Sequence, residues 1–140
     1  MKILLAADGS SYTKKALAFL VANQNLCGPQ DELLVLHVQS PVPPRVKAML
    51  GAAAVNDYHG DEARQVLEPI ETFLKQHDLR FKTTWVVGSP TTELLAAAKN
   101  EKAQMLVMGT HGHGLVGRAL MGSVAQRVVS DCDVPVLLVK

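Results

Sequence analysis

The sequence predicts an α/β fold with an open five-stranded parallel sheet and helices on both faces. Five short apolar runs alternate with stretches of helical periodicity, and this alternation is typical of repeated strand–helix–strand units. The apolar runs are mostly continuous, as expected for strands that helices cover on both sides. The strands are predicted at residues 2–7, 32–38, 80–87, 105–109 and 135–139.

The order of the strands determines where a ligand would bind. Right-handed crossovers limit how five parallel strands can be arranged, and the order 3-2-1-4-5 reverses between the first and fourth strands. In open α/β sheets, ligands bind at the carboxyl ends of the strands at such a reversal. Asp8, Gly9 and Ser10 follow the first strand, and a glycine-rich segment follows the fourth. We therefore expect both segments to face one crevice.

Two helix starts are marked by capping residues. Ser10 or Ser11 is expected to cap the helix that follows the first strand, since serine is favoured at that position. Ser89 and Pro90 combine a capping residue with a proline suited to the first helical turn. They predict a helix directly after the third strand.

The region between the second and third strands is predicted to begin with a surface excursion. Prolines and a glycine between Ser40 and His59 indicate a long connection with about one helical turn. A helix follows, with apolar residues on one face from Ala63 to Leu74. Within it Pro69 predicts a kink or break, because proline has no N–H to continue the helical hydrogen bonds.

The most informative segment follows the fourth strand, where five glycines fall within fourteen residues. Glycine lacks the Cβ that would obstruct a phosphate chain approaching backbone N–H groups. A helix start offers unpaired N–H groups and the positive end of the helix dipole. The pattern G-x2-G-x9-G-S therefore predicts a phosphate-binding segment rather than a merely flexible loop. Its residues are Gly109, Gly112, Gly114, Gly117, Gly122 and Ser123.

Three other phosphate-binding motifs fit this segment less well. Residues 112–117 match the dinucleotide fingerprint G-x-G-x-x-G, but that motif belongs after the first strand of its domain. A P-loop would have lysine at Arg118 and serine or threonine at Ala119. The string from Thr110 to His113 resembles the T-x-G-H motif of nucleotidyltransferases, which in that family also follows the first strand.

Composition excludes several functional classes. The 140 residues are a single-domain length, and we expect one domain over residues 1–140. The formal charge of +1 and the scarcity of aromatic residues argue against nucleic-acid binding. No apolar run approaches the ~18 residues of a membrane span, and no signal peptide is recognised, which predicts a cytoplasmic protein. Cys27 and Cys132 lack metal or redox spacing and are expected to be reduced, buried thiols.

Along its whole length the sequence resembles the universal stress protein family, in its nucleotide-binding form. The resemblance rests on D-G-S after the first strand, H-V ending the second, G-S-P opening the third helix, the G-x2-G-x9-G-S motif and the closing V-P-V-L-L-V. It implies an adenine nucleotide alpha-hydrolase-like fold and bound ATP, ADP or AMP, with Mg²⁺ held through the phosphates. It also implies a homodimer joined through the strand that runs from Val134 to Val139.

The resemblance also implies which residues form the site. Glycine backbones and His113 would line the phosphates and ribose, the start of the last helix would donate N–H groups, and Ala7 and Val38 would flank the adenine. The implied nucleotide-binding residues are Ala7, Asp8, Val38, Met108, Gly109, Gly112, His113, Gly114, Arg118, Gly122, Ser123 and Val124.

Several of these residues have a second interpretation. Asp8 lies close to the nucleotide or only organises a turn, and its carboxylate would repel phosphates unless a cation intervened. Arg118 neutralises phosphate charge or is a solvated loop arginine. Val38 binds adenine or belongs to the core. His111 and His113 have the spacing of a metal-ligand pair, but no further ligand is evident, so no metal site is predicted.

These observations predict a nucleotide-binding module of the cytoplasm with a regulatory or stress-response role and an unidentified protein partner. No catalytic residue is assigned, because the chain lacks a P-loop lysine, a placed base and a cluster of metal-binding carboxylates. Two alternatives stay open. One is an enzyme that hydrolyses ATP slowly or transfers a nucleotidyl group with His113. The other is a dimeric scaffold that binds no nucleotide.

Overall fold

The computed structural model describes residues 1–112 and 121–140. Five parallel strands form one sheet in the order β3-β2-β1-β4-β5, which confirms the predicted fold. Each strand end lies within one residue of its predicted position. The strands are β1 (Lys2–Ala6), β2 (Glu32–Gln39), β3 (Arg80–Val87), β4 (Met105–Gly109) and β5 (Val136–Val139).

Helices cover both faces of this sheet. Helices α1 and α3 pack on one face, and α4 and α5 pack on the other. No helix among residues 1–112 and 121–140 is long and apolar enough to cross a membrane. The helices are α1 (Ser11–Ala22), α2 (Pro44–Leu50), α3 (Ala52–Lys75), α4 (Pro90–Asn100) and α5 (Ser123–Asp131).

Two hydrophobic clusters lie on opposite sides of the central strands. Side chains alternate between the faces of a strand, so Ile3 and Leu5 of β1 face α1 and α3, whereas Leu4 faces α4 and α5. Leu4 pairs with Leu34 of β2 and Leu106 of β4. β1 is therefore fixed on both edges and both faces, which gives its carboxyl end a rigid position.

The two cysteines are free thiols in different surroundings. Cys27 is buried and Cys132 is partly buried. Burial, followed by the nearby Asp31 carboxylate, raises the pKa of the Cys27 thiol, because both disfavour the thiolate. Cys27 is therefore protonated at neutral pH.

The predicted break at Pro69 does not occur, because α3 continues without interruption from Ala52–Lys75. Gln65, whose carbonyl loses its partner, and Pro69 both lie on the exposed side of the helix. Water can solvate that carbonyl. The buried residues Ala63 and Ile70 on either side keep the helix on the sheet.

The connection after β2 contains more helix than the sequence predicted. Helix α2 occupies Pro44–Leu50, and α3 begins two residues later. Pro44 stands in the first turn, where proline is well tolerated, and the alanines that open α3 have high helix propensity. Gly51 joins the two helices with φ of 86°, a conformation that favours glycine. No residue of α2 is buried.

Candidate functional site

A crevice of about 540 Å³ opens at the carboxyl ends of β1 and β4, where the strand order reverses. It is the place that the strand order predicted for a ligand. The structure brings nine of the predicted site residues together on its walls, although their role in binding stays a prediction. These nine are Ala7, Asp8, Val38, Met108, Gly109, Gly112, Gly122, Ser123 and Val124. The other three, His113, Gly114 and Arg118, lie outside the described residues.

Asp8 organises the turn between β1 and α1. Its Oδ1 accepts hydrogen bonds from the Ser10 N–H at 2.9 Å and the Thr13 hydroxyl at 2.8 Å. The Thr13 oxygen in turn accepts from the Asp8 N–H at 3.1 Å. Ser10 occupies the helix cap, but its side chain makes no capping hydrogen bond. Asp8 therefore holds the start of α1 and also lines the crevice.

Gly109 is required by packing against α1. An alanine Cβ at this position would lie 2.4 Å from the Tyr12 Cβ and 3.3 Å from the Tyr12 carbonyl carbon. Both atoms belong to the helix framework and cannot move aside as the end of a flexible side chain would. The absence of a side chain at Gly109 thus lets α1 approach the end of β4.

Gly112 and Gly122 have different neighbours. A Cβ on Gly112 would lie 2.6 Å from Oδ2 of Asp8, so this glycine lets the carboxylate lie directly against the backbone. A Cβ on Gly122 would meet the Thr110 carbonyl oxygen at 3.4 Å, an ordinary contact. The Gly122 N–H donates to that same carbonyl at 2.7 Å. This hydrogen bond draws the two ends of the glycine-rich segment together.

The start of α5 forms one wall of the crevice. Gly122 is its N-cap, and Ser123, Val124 and Ala125 of the first turn all line the crevice. First-turn N–H groups have no partner within their helix, and the positive end of the helix dipole lies at the same place. This wall is therefore suited to an anion.

Few of the described residues that line the crevice carry a charge. Asp8 is an anion, and no lysine or arginine occurs among the described lining residues. His111 lines the crevice, with Nδ1 at 2.8 Å from the Thr110 hydroxyl and its ring 4.9 Å from the Tyr12 ring. In the described part of the chain, no three His, Cys, Asp or Glu side chains form a metal-binding group.

The opposite end of the crevice is formed by the end of β2. The Nδ1 atom of His37 donates to the Ala7 carbonyl at 2.8 Å, since a carbonyl can only accept. The other ring nitrogen lies 2.9 Å from the side-chain oxygen of Gln39. The buried His37 ring therefore ties β2 to the end of β1 beside Val38.

Sequence reasoning did not assign site roles to several lining residues. Thr13, His37, Gln39 and Thr110 line the crevice but were not among the predicted site residues. His37 and Gln39 flank the predicted Val38, and both point to the face opposite its side chain. Polar residues at the carboxyl end of an otherwise apolar strand were the available signal.

The comparisons with known proteins cover the whole chain. The universal stress protein family model matches residues 1–140. A universal stress protein from Thermus aquaticus is 34% identical over 140 residues, covering 99% of this chain and 97% of its relative. The structure of MJ0577, a universal stress protein of Methanocaldococcus jannaschii, has a TM-score of 0.84 at 29% identity, covering 99% of this chain and 94% of that one.

A universal stress protein from Archaeoglobus fulgidus, solved in complex with dAMP, shares the fold. Its TM-score is 0.68 at 22% identity, and the match covers 100% of this chain and 98% of the other. The family match extends over every residue, and the fold agrees with the solved structure of MJ0577. This chain belongs to the universal stress protein family.

Proposed function

We propose that this protein binds ATP in the crevice between β1 and β4 and acts as a cytoplasmic regulatory module in a stress response. The observation that carries the proposal is the convergence of the β1 end, the β2 end, the glycine-rich segment and the α5 start on one cavity of about 540 Å³. That volume suits a nucleotide-sized ligand. The dAMP held by the Archaeoglobus fulgidus relative supports an adenine nucleotide as the ligand.

The phosphates are assigned to the end of the crevice near α5. Ser123 and Val124 present helix-start N–H groups there, and Gly112 lines the crevice with the Asp8 carboxylate against its backbone. Asp8 contributes negative charge to the same region, which would repel phosphates. Mg²⁺ would allow the Asp8 carboxylate and the phosphates to lie close together, because it binds phosphate oxygens together with one or two carboxylates and water. Asp8 is the residue suited to that role.

The base is assigned to the end of β2. Peptide groups alternate in direction along a strand, and the Gln39 carbonyl accepts from the Gly88 N–H on the β3 side. The N–H and carbonyl of Val38 therefore point the other way, into the crevice beyond the end of β1. A donor beside an acceptor matches N1 and the N6 amino group of adenine. Guanine has these roles reversed at its N1 and O6, so the site should prefer adenine.

ATP with Mg²⁺ should raise the thermal stability of the protein. At a ligand concentration of about 100 times Kd, binding adds about 2.7 kcal/mol, which is roughly 10 °C in Tm for a chain of this length. Differential scanning fluorimetry over an ATP series measures the shift. GTP at the same concentrations is the matched control and should give a smaller shift. An unchanged Tm in millimolar ATP and Mg²⁺ would contradict the proposal.

We also propose a homodimer joined through β5. Among residues 1–112 and 121–140, this strand pairs only with β4, and its four residues are all partly exposed. The carbonyls of Pro135 and Val139 bond to the β4 side, so the peptide groups of Val136 and Leu138 face the open edge. An open edge favours pairing with a second strand.

Sedimentation at micromolar concentration should show a species of about twice 15.1 kDa. The amides of Val136 and Leu138 should become more protected from hydrogen exchange as protein concentration rises. Detection of the 15.1 kDa monomer alone would remove this part of the proposal. We also propose that the protein binds a regulatory protein partner in a manner that depends on the bound nucleotide.

A further inference from the structure

The hydrogen-bond ladder between β1 and β2 ends one step early, at the position where the base is proposed to bind. Its last backbone bond runs from the Ala7 N–H to the Leu36 carbonyl at 2.9 Å. In a regular parallel ladder the next bond would run from the Val38 N–H to the Ala7 carbonyl. Among the described residues that bond is not formed. The Ala7 carbonyl accepts from Nδ1 of His37 instead, at 2.8 Å.

A buried carbonyl needs a partner, and His37 supplies it. Ala7 is 4% exposed and His37 is 6% exposed, so water cannot readily satisfy either group. If the imidazole were absent, the nearest donor in the regular geometry of the sheet would be the Val38 N–H. The histidine therefore takes the place of a backbone donor and keeps the last step of the ladder open.

Gln39 fixes the ring that makes this contact. Its side-chain amide lies 2.9 Å from Nε2 of His37. Because Nδ1 carries the ring proton, Nε2 of the neutral imidazole accepts, and the Gln39 amide donates to it through its NH2 group. The two side chains stand on the same face of β2, two residues apart, with Val38 between them. The contacts at Nδ1 and Nε2 together fix the orientation of the His37 ring.

We infer that His37 is a positioning residue for nucleotide selectivity: it occupies the Ala7 carbonyl and so leaves the Val38 peptide available to read the adenine edge. The inference rests on the proposed nucleotide-binding function and assigns His37 no contact with the ligand. Its consequence is that a substitution at His37 changes which base is bound while the sheet stays paired, or pairs more completely.

The test compares two substitutions of His37 with a matched histidine elsewhere. His37→Leu removes the donor, so the Val38 N–H should pair with the Ala7 carbonyl. As a result, ATP affinity should fall about tenfold, and the preference for ATP over GTP should shrink. His37→Asn should restore most of the affinity, because its amide N–H can reach the position of Nδ1. His77 also donates Nδ1 to a backbone carbonyl, that of Phe73 at 2.9 Å. It is remote from the crevice, so His77→Leu should leave ATP affinity unchanged.

Hydrogen exchange of the Val38 amide separates positioning from a loss of structure. Without nucleotide, this amide should exchange readily in the native protein and become protected in His37→Leu. With ATP it should be protected in the native protein. Full protection in the unliganded native protein would overturn the inference, even if His37→Leu failed to fold.

The remaining outcomes distinguish the inference from the proposed function. If the native protein binds ATP and His37→Leu binds it with the same affinity and the same preference over GTP, the inference is wrong and the proposed function stands. If the native protein binds no nucleotide, the proposed function fails. The exchange of Val38 in the unliganded proteins then still decides whether His37 holds the ladder open.

Discussion

Replacing Gly109 with alanine should destabilise the protein by about 3 kcal/mol, at the upper end of what overpacking usually costs. The new methyl group would lie 2.4 Å from the Tyr12 Cβ, well inside the contact distance of two carbon atoms. Relief requires α1 to move away from β4. Because α1 also carries the buried residues Leu17 and Leu20, that movement would disturb the core. Urea denaturation of both proteins measures the difference in free energy of unfolding.

Two further variants identify the cause of this loss. Gly122→Ala adds the same methyl group in the same segment, but its nearest neighbour is at 3.4 Å and its backbone φ is −70°. Gly122 is the N-cap of α5, where alanine is less favoured than glycine, so this variant should lose no more than about 1 kcal/mol. In a Tyr12→Gly background, Gly109→Ala should cost less than in the native protein, because the opposing Cβ is then gone. Equal losses in the two alanine variants would show that Gly109 does not act through the Tyr12 contact.

Gly109 also shows what the sequence could and could not predict. The spacing of the glycines placed a close backbone approach after the fourth strand, and the predicted strand order placed it opposite Asp8. Both the order and the shared crevice agree with the structure. The sequence attributed Gly109 to phosphate approach, which stays a prediction; the structure adds that a side chain there would meet the Tyr12 Cβ. The spacing of glycines indicates where a side chain is excluded, but not which neighbouring group excludes it.

The contact of His37 and the full length of α2 were not predicted, for related reasons. The role of His37 depends on which carbonyl lies opposite its ring, and that partner is thirty residues away in the sequence. For α2, the prolines of the segment indicate a loop, whereas in the structure Pro44 stands at the helix start, where proline is favoured. Local pattern thus located the elements and residues that line the crevice, while contacts between distant segments determine what individual side chains contact.

Leu106→Ala should cost about 2–5 kcal/mol, the range for truncating a fully buried leucine. Leu106 is 0% exposed and belongs to the cluster formed with α4 and α5. It lies on β4 between β1 and β5, where its neighbours Leu4 and Val136 are held in sheet register. The sheet cannot collapse freely into the space left by the side chain, so a cavity would remain and add to the lost hydrophobic burial.

Leu50→Ala is the matched control, because it removes the same atoms from a residue that is 59% exposed on α2. Its effect should stay within about 0.5 kcal/mol. Chemical denaturation with an unchanged m-value compares the two variants directly. A similar loss of stability for both variants would mean that Leu50 of α2 is buried in solution by contacts from outside this chain. A large loss for Leu106→Ala alone would show that β4 is held by its core contacts. Because β4 carries Met108 and Gly109 into the crevice, the same contacts then also hold the proposed nucleotide site in place.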